Sequence, residues 1–279
     1  MVVPVRPEGA GELEQGYPVD RIDTGTAHSA RVYDYILGGK DHYAVDREAG
    51  DAMCREWPAL PVHMRANRKF MHRAARYLAR EEGVGQFLDI GTGLPTSPNL
   101  HEVVQQVRPD ARAVYVDNDP IVLTHARALL TGSAQGRTAY VDADMRDPEA
   151  IIGSAQFQEL LDLRQPVGLM IIGILHFILP PDDHSLVRRL LEPLPAGSFV
   201  AMTIGTADFA PREVGRVADE YALRGMPMKL RTRTEAEALF DGLELVAPGL
   251  TQVHHWRPDA DQEKVDDRDI AMYGGVARK

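Results

Sequence analysis

Between Gln86 and Ile172 the apolar positions fall into four short runs separated by polar, helix-forming stretches. Phe87–Ile90 carries Asp89, Ala113–Val116 leads into Asp117, and Ala139–Val141 leads into Asp142-Ala143-Asp144. The fourth run, Val167–Ile172, continues almost without a polar residue to Leu179, as a strand buried on both faces does. It is too short and too interrupted to cross a membrane. Strand-length runs that alternate with helical stretches predict a parallel sheet covered by helices on both sides.

Ahead of Gln86 the apolar period is that of a helix. Thr26 is placed to cap a helix that stops at Gly38-Gly39, where glycine supplies the left-handed turn. A second helix is predicted over Ala44–Glu56 and a third from Pro61 to about Glu82, with Ala66, Phe70, Ala74, Tyr77 and Leu78 on one face. Arg65, Arg68, Lys69, Arg73, Arg76 and Arg80 fall on this third helix and read as its solvated side. Beyond the fourth run, Pro211–Arg224 reads as a helix, Met226–Arg231 as a loop, and Thr234 as the cap of a short helix to Phe240. The first twenty or so residues, rich in Pro, Gly and Glu, read as a loose arm. The chain thus divides into an arm and helical cap over 1–84 and a sheet domain over 85–279.

The chemistry concentrates where the apolar runs end. After Asp89 come Gly91-Thr92-Gly93, a loop with little side-chain bulk before the helical pattern that Pro98 opens. Open α/β sheets bind ligands at this edge, and the two glycines let a ligand lie against bare backbone. A dinucleotide fingerprint needs a third glycine where this chain has Thr96. An acid at Asp89 repels a pyrophosphate and suits a cationic group. S-adenosylmethionine (SAM), with a sulfonium, an ammonium and no phosphate, fits this loop better than a nicotinamide dinucleotide does.

The later strand ends extend the pattern. Asp117, a little over twenty residues past Gly93, lies at the distance from which an acid accepts hydrogen bonds from ribose hydroxyls, with Asn118 beside it. Asp119 reads as the cap of a helix begun by Pro120, and Asp147 with Pro148 repeats the device. Asp144 and Met145 are left to meet an adenine, the acid accepting from its amine and the thioether packing on its ring. At the fourth end Gly173, followed by Ile174, lets the cofactor approach, and His176 falls near the reacting methyl.

Composition narrows the partners. A chain of 279 residues with 44% apolar content is enough for one such domain with an appendage. A net charge of −10 argues against a nucleic-acid backbone as the main partner. The single cysteine, Cys54, excludes an internal disulfide and reads as a packing residue beside Met53. The N-terminus lacks a basic start and a long apolar core, so the expected location is the cytoplasm. His254 and His255, as neighbours on a strand, would face opposite sides; no Cys/His spacing suggests zinc, and no metal site is expected.

The four strand ends resemble the four motifs of the Rossmann-like SAM-dependent methyltransferases. Asp23–Asp41, with Arg31, Tyr33, Asp34, Tyr35 and Gly38-Gly39-Lys40, resembles the N-terminal signature of an actinobacterial S-adenosyl methyltransferase family. So do Asn67-Arg68-Lys69-Phe70, Leu194–Val200, and Leu245–Leu250 with Trp256-Arg257-Pro258. The resemblance covers the chain from about residue 20 to its end. It implies a Rossmann-like SAM-methyltransferase fold: α/β, with a seven-stranded, mostly parallel sheet, helices on both faces and an N-terminal helical lid. Phe199–Ile204 would be the fifth strand, and Leu243–Val246 and Ile270–Val276 a reversed C-terminal hairpin. It also implies SAM as cofactor and methyl transfer as the reaction, and leaves the acceptor unnamed.

Methyl transfer from a sulfonium is an in-line displacement in which the protein supplies position and electrostatics. An oxygen or nitrogen acceptor calls for a base within hydrogen-bond reach. The candidates are His176, His42, Tyr33, Tyr35 and Tyr43, and Arg68 is placed to hold the SAM carboxylate. Tyr33-Asp34-Tyr35 and Gly38–Tyr43 read as a lid that helps form the acceptor site. The fourth strand end lacks the Asn/Asp-Pro-Pro-aromatic element of methyltransferases acting on nucleic-acid bases or protein glutamine, which favours a small-molecule acceptor. Two other readings stay open: a SAM-binding regulatory or interaction module without turnover, and a nicotinamide oxidoreductase. No membrane partner is expected, and homodimerisation is left open.

Overall fold

The computed structural model describes residues 23–122, 124, 134–261 and 263–279. The N-terminal arm expected over the first twenty or so residues lies outside them. Three helices come first: α1 (Ser29–Ile36), α2 (Ala44–Glu56) and α3 (Leu60–Arg80). Helix α2 has the bounds its pattern predicts. Helix α1 starts later than a Thr26 cap requires. The His28 side chain takes the cap position, and the Thr26 carbonyl instead accepts from Arg31. Gly38, with φ of 85°, follows the last turn as expected.

Among the described residues eight strands follow: β1 (Gln86–Ile90), β2 (Arg112–Asp117), β3 (Arg137–Asp142), β4 (Gly168–Ile171), β5 (Phe199–Gly205), β6 (Glu244–Leu245), β7 (Thr251–Gln252) and β8 (Met272–Arg278). Their order is β3-β2-β1-β4-β5-β8-β6, with β7 also paired to β8. The first five run parallel, and β8 inserts antiparallel beside β5. The reversed C-terminal pairing is therefore present. One strand exceeds the seven expected: the two-residue β7 is too short to leave an alternating pattern in the sequence.

Side chains alternate across the sheet. Leu88, Val114, Leu169 and Val200 enter the core on one face. Phe87, Ala113, Met170 and Ala201 enter the other, where Phe70, Ala74 and Leu78 of α3 cover them. A third apolar cluster joins α1 and α2 to α8 (Pro211–Leu223) through Val32, Met53, Trp57, Val214 and Tyr221, with Cys54 half-buried against it. Between α3 and α8 lie α4 (Leu100–Gln105), α5 (Pro148–Ile152), α6 (Ala155–Leu160) and α7 (Asp182–Leu191). Asn99 rather than Pro98 opens α4, through a reciprocal capping box with Glu102.

Three local expectations change. Thr232, not Thr234, caps the last helix, α9 (Arg233–Ala238), because Glu235 stands three residues on and completes a capping box. Arg73 leaves the solvated side of α3: it is buried, with Nε donating to the Trp256 carbonyl at 2.9 Å and Nη2 to the Val253 carbonyl at 2.6 Å. Arg65, Lys69 and Arg80 do face water. His254 and His255 sit in a turn after β7 and not on a strand, so both rings reach one carboxylate, Asp267 Oδ1, at 3.0 and 2.7 Å. These three residues form a cluster of metal-ligating types that strand geometry does not foresee.

Candidate active site

The chain runs from β1 outward to β2 and β3, then returns to β4 on the other side of β1. The carboxyl ends of β1 and β4 therefore flank the point where strand order reverses, where open α/β sheets hold ligands. The loop after β1 turns at Gly91, whose φ is 68°. A Cβ there would stand 2.2 Å from Ile174 Cδ1, so the close approach of the β4 loop also requires glycine. Gly93 has a φ of 67°, and a Cβ on it would meet nothing within 4 Å. It borders the main cavity and leaves it open.

Asp89 follows Phe87 by two residues and so shares the face covered by α3. It is buried and lines the cavity with Asn67 and Arg68; its backbone carbonyl accepts from Thr92, but its carboxylate has no hydrogen-bond or ion-pair partner among the described residues. Burial pushes its pKa up to about 7; Arg68 pulls the other way, and Asp117 adds to the rise. A carboxylate desolvated in this way lacks a cation. Arg68 does not provide it directly: its Nη2 donates to the Thr96 and Pro98 carbonyls and ties the loop after Gly93 to α3.

At the end of β2, Asp117 accepts from Gly93 N–H at 2.8 Å and Asp119 N–H at 2.9 Å. Burial raises its pKa, against the pull of those two hydrogen bonds. Asp119 accepts from Ile121 N–H, the capping role its spacing predicts, and pairs with His28 at 3.0 Å. Asn118 donates to Asp144 at 3.0 Å, and Arg146 holds the same carboxylate. With Met145, which is buried, these residues and Gly91 line a hollow next to the main cavity. Ile174 borders both spaces.

Gly173 and His176 line the main cavity from the β4 side. The Gly173 N–H is held by Thr203 Oγ1 at 2.7 Å. His176 is buried, and its Nδ1 has no partner among the described residues. Burial pushes its pKa down to about 3, with His63 and Arg231 adding to the fall. Tyr33 also lines the cavity, but its hydroxyl donates to the Met64 carbonyl at 3.0 Å, and burial raises its pKa.

The other candidates for a base lie elsewhere. Tyr35 donates to Asp51 at 2.6 Å on the outer side of α1, and its ring packs against His42. His42 bonds Asp34 at 3.0 Å, and Tyr43 packs beside Leu94 and Ile121. None of the three borders the cavity: Tyr35 leaves α1 on a different side from Tyr33, and His42 and Tyr43 belong to the loop after α1, where His42 is held by Asp34. Ser29, Ala30, Tyr33 and Asp34 are the α1 residues that do border it.

Sequence reasoning missed His63, Asn67, Trp57 and Tyr221, all of which line the cavity. For two of them a signal exists. His63, Asn67, Phe70 and Ala74 follow one helical stripe of α3, so two polar residues interrupt its buried face. Asn67 donates to the Tyr33 hydroxyl at 3.3 Å, and its Oδ1 is buried without a partner among the described residues. His63 Nδ1 accepts the Ala271 backbone N–H at 3.2 Å.

A family model for S-adenosyl methyltransferases matches residues 15–279. The chain belongs to that family. The methyltransferase is 64% identical to a DUF574 family protein from Streptomyces avermitilis, whose crystal structure it matches with a TM-score of 0.91 over 93% of this chain and 100% of the other. A candidate methyltransferase from Thermobifida fusca is 38% identical, with a TM-score of 0.84 over 94% and 98% of the two chains. No curated protein matches. The protein is a SAM-dependent methyltransferase, and its cofactor is SAM. The partnerless Asp89 and the unfilled space at Gly93 suit that cofactor, which brings positive charge and no phosphate.

Proposed function

We propose that this methyltransferase acts on a small-molecule acceptor and that its cofactor lies across the two hollows beside β1. SAM supplies a methyl on a cationic sulfur that departs as a neutral thioether. Asp89 meets the cationic methionyl end, and Arg68 faces its carboxylate. Asp117 uses two of the roughly four acceptor positions of a carboxylate on backbone N–H groups and keeps the others for ribose hydroxyls. Asn118, Asp144 and Met145 surround the adenine, while Gly93, Gly173 and Ile174 shape the passage between the hollows.

Residues 23–43 act as a cap whose α1 closes the cavity from above. Alignment of donor and acceptor contributes about 7–11 kcal/mol in favourable systems, so a weak base such as His176 is compatible with turnover. Acidic composition keeps nucleic acid out of this reading, and the lone Cys54 fits a cytoplasmic protein. Among the described residues no helix is long and apolar enough to cross a membrane.

The observation that carries the proposal is Asp89, buried and unpaired beside the opening at Gly93. Calorimetry tests it: SAM binds, NADH does not, and Asp89→Asn weakens SAM selectively. Equal binding of NADH, or an unaltered SAM affinity in the variant, overturns it. Release of S-adenosylhomocysteine with candidate acceptors then separates turnover from cofactor binding alone.

A further inference from the structure

The main cavity extends well past the residues assigned to the cofactor. Its far end is apolar and aromatic, walled by Trp57 and Leu60 at the α2–α3 junction, Val217 and Tyr221 of α8, and Phe177. Two imidazoles face this end, His63 from α3 and His176 from the segment after β4.

Their hydrogen-bond roles differ. The Ala271 N–H is a donor, so His63 Nδ1 must accept it. The His63 proton therefore sits on Nε2, and the ring offers a donor to a ligand. His176 has no protein partner on Nδ1 among the described residues, so nothing in the fold commits its tautomer. It can take a proton from a ligand while His63 gives a hydrogen bond. Both rings are neutral: burial holds His63 near 4 and His176 near 3.

Charge at this end is also restricted. Among the described residues the one arginine that borders the cavity, Arg68, stands at the cofactor end and is tied to two loop carbonyls. Arg231, buried beneath His176, is bound to Asp183 and to the Leu175 and Ile178 carbonyls. An anionic acceptor would leave water here without gaining a cation, which is costly.

We infer that the acceptor is an uncharged aromatic molecule carrying a protic nucleophile beside a hydrogen-bond-accepting atom, the acceptor atom held by His63 Nε2–H and the nucleophile by His176. This rests on the cofactor placement above. In the reaction the nucleophilic oxygen or nitrogen gains the methyl, the electron pair of the broken C–S bond stays on sulfur, and the nucleophile's proton passes to His176 and on to solvent.

Calorimetry on protein saturated with S-adenosylhomocysteine tests this with two probes of one skeleton, methyl 3-hydroxy-2-naphthoate and the 3-hydroxy-2-naphthoate anion. The neutral ester is expected to bind at least tenfold more tightly than the anion. His63→Phe is expected to weaken the ester at least tenfold while S-adenosylhomocysteine affinity stays within twofold of the wild type. In the wild-type protein, long-range proton–nitrogen spectra are expected to show His63 as the Nε2–H tautomer and to shift both histidines when the ester is added. That measurement needs no variant to fold. Anion binding equal to or tighter than the ester, no ester binding to the saturated protein, or histidine signals unmoved by bound ester each overturns the inference. Failure of S-adenosylhomocysteine itself to bind overturns the cofactor placement instead.

Discussion

At the scale of single residues, Asp89 combines two roles that oppose each other. In the proposed placement it gives the cofactor a negative partner, and it burdens the ligand-free protein with a buried carboxylate. Its pKa rises from 3.8 to about 7 on folding. Between those values the unfolded chain binds fewer protons than the folded one, so ligand-free protein loses stability as pH rises from about 4 to 7. Asp89→Asn removes this loss, and its melting temperature relative to wild type should climb between pH 5 and pH 8. The same substitution should raise the SAM dissociation constant roughly 10- to 100-fold, as loss of a charged hydrogen bond worth about 1.5–3 kcal/mol implies. Wild-type affinity for SAM should fall as pH drops below about 7, approaching roughly tenfold per unit, because binding then requires proton release. Asp117, also shifted upward by burial, acts in the same direction. A flat pH profile in calorimetry would refute the assignment. Gly93→Ala adds a methyl at a φ of 67° inside the opening. It should cost about 1–2 kcal/mol in folding stability and exclude SAM, measured by denaturation and calorimetry together.

At the scale of elements, the cap is fastened to the sheet by charge as well as by its apolar cluster. Arg31 of α1 is buried, with Nε 3.7 Å from both Asp46 of α2 and Asp119 after β2. Its guanidinium also donates to the Asp23 and Thr26 carbonyls. Asp46 in turn accepts from the His28 and Tyr43 backbone N–H groups. One side chain thus joins the entry to α1, the start of α2 and the loop that follows Asp117. Arg31→Ala leaves two buried carboxylates facing each other and should cost about 3–5 kcal/mol, read by urea denaturation. Proteolysis should then cut within residues 23–43 first.

His28 makes the fastening pH-dependent. Burial works against its charge, but the bond to Asp119 and the nearby Asp117 outweigh it, so its pKa is raised above 6.5. The stabilisation is fully present below pH 6.5 and is lost as pH rises through the folded value. Amide exchange in α1, corrected for intrinsic rates, should be less protected at pH 8.5 than at pH 6, and His28→Gln should remove the difference.

At the scale of the whole molecule, the cavity is bounded by elements distant in sequence. Ser29 to Asp34 come from α1, Asp89 and Gly93 from the β1 loop, and Val214 to Leu230 from α8 and the loop after it. Filling the cofactor hollows should therefore be felt in the cap as well as in the sheet loops. Saturation with S-adenosylhomocysteine should slow amide exchange in residues 23–43 and 226–230 and leave β5 unchanged. Protection confined to the loops at residues 91–93 and 117–119 would refute the cap's role.

The strands, their parallel direction and the glycine turn after β1 were legible in the sequence because each depends on local patterning. Apolar runs that carry Asp89 or lead into Asp117 reveal a strand and its carboxyl end from neighbouring positions alone, and Gly91 and Gly93 declare a backbone that only glycine adopts readily. Capping was legible at Asp119 and Asp147, and misread at α1, α4 and α9, where His28, Asn99 and Thr232 stand in the place expected of Thr26, Pro98 and Thr234. What only the tertiary structure decided is which polar side chains meet. Arg73 looked solvated because nothing local announces the Val253 and Trp256 carbonyls, some 180 positions away in the chain. Tyr35 and His42 looked like site residues because they lie close to Tyr33 in sequence, yet Tyr35 turns to Asp51 and His42 stops at Asp34, and neither borders the cavity. His63 became a hydrogen-bond donor only through the Ala271 N–H on a distant strand end. Local sequence sets backbone conformation, whereas the proton on a ring nitrogen or the charge on a carboxylate is set by whatever the fold brings within about 3 Å of it.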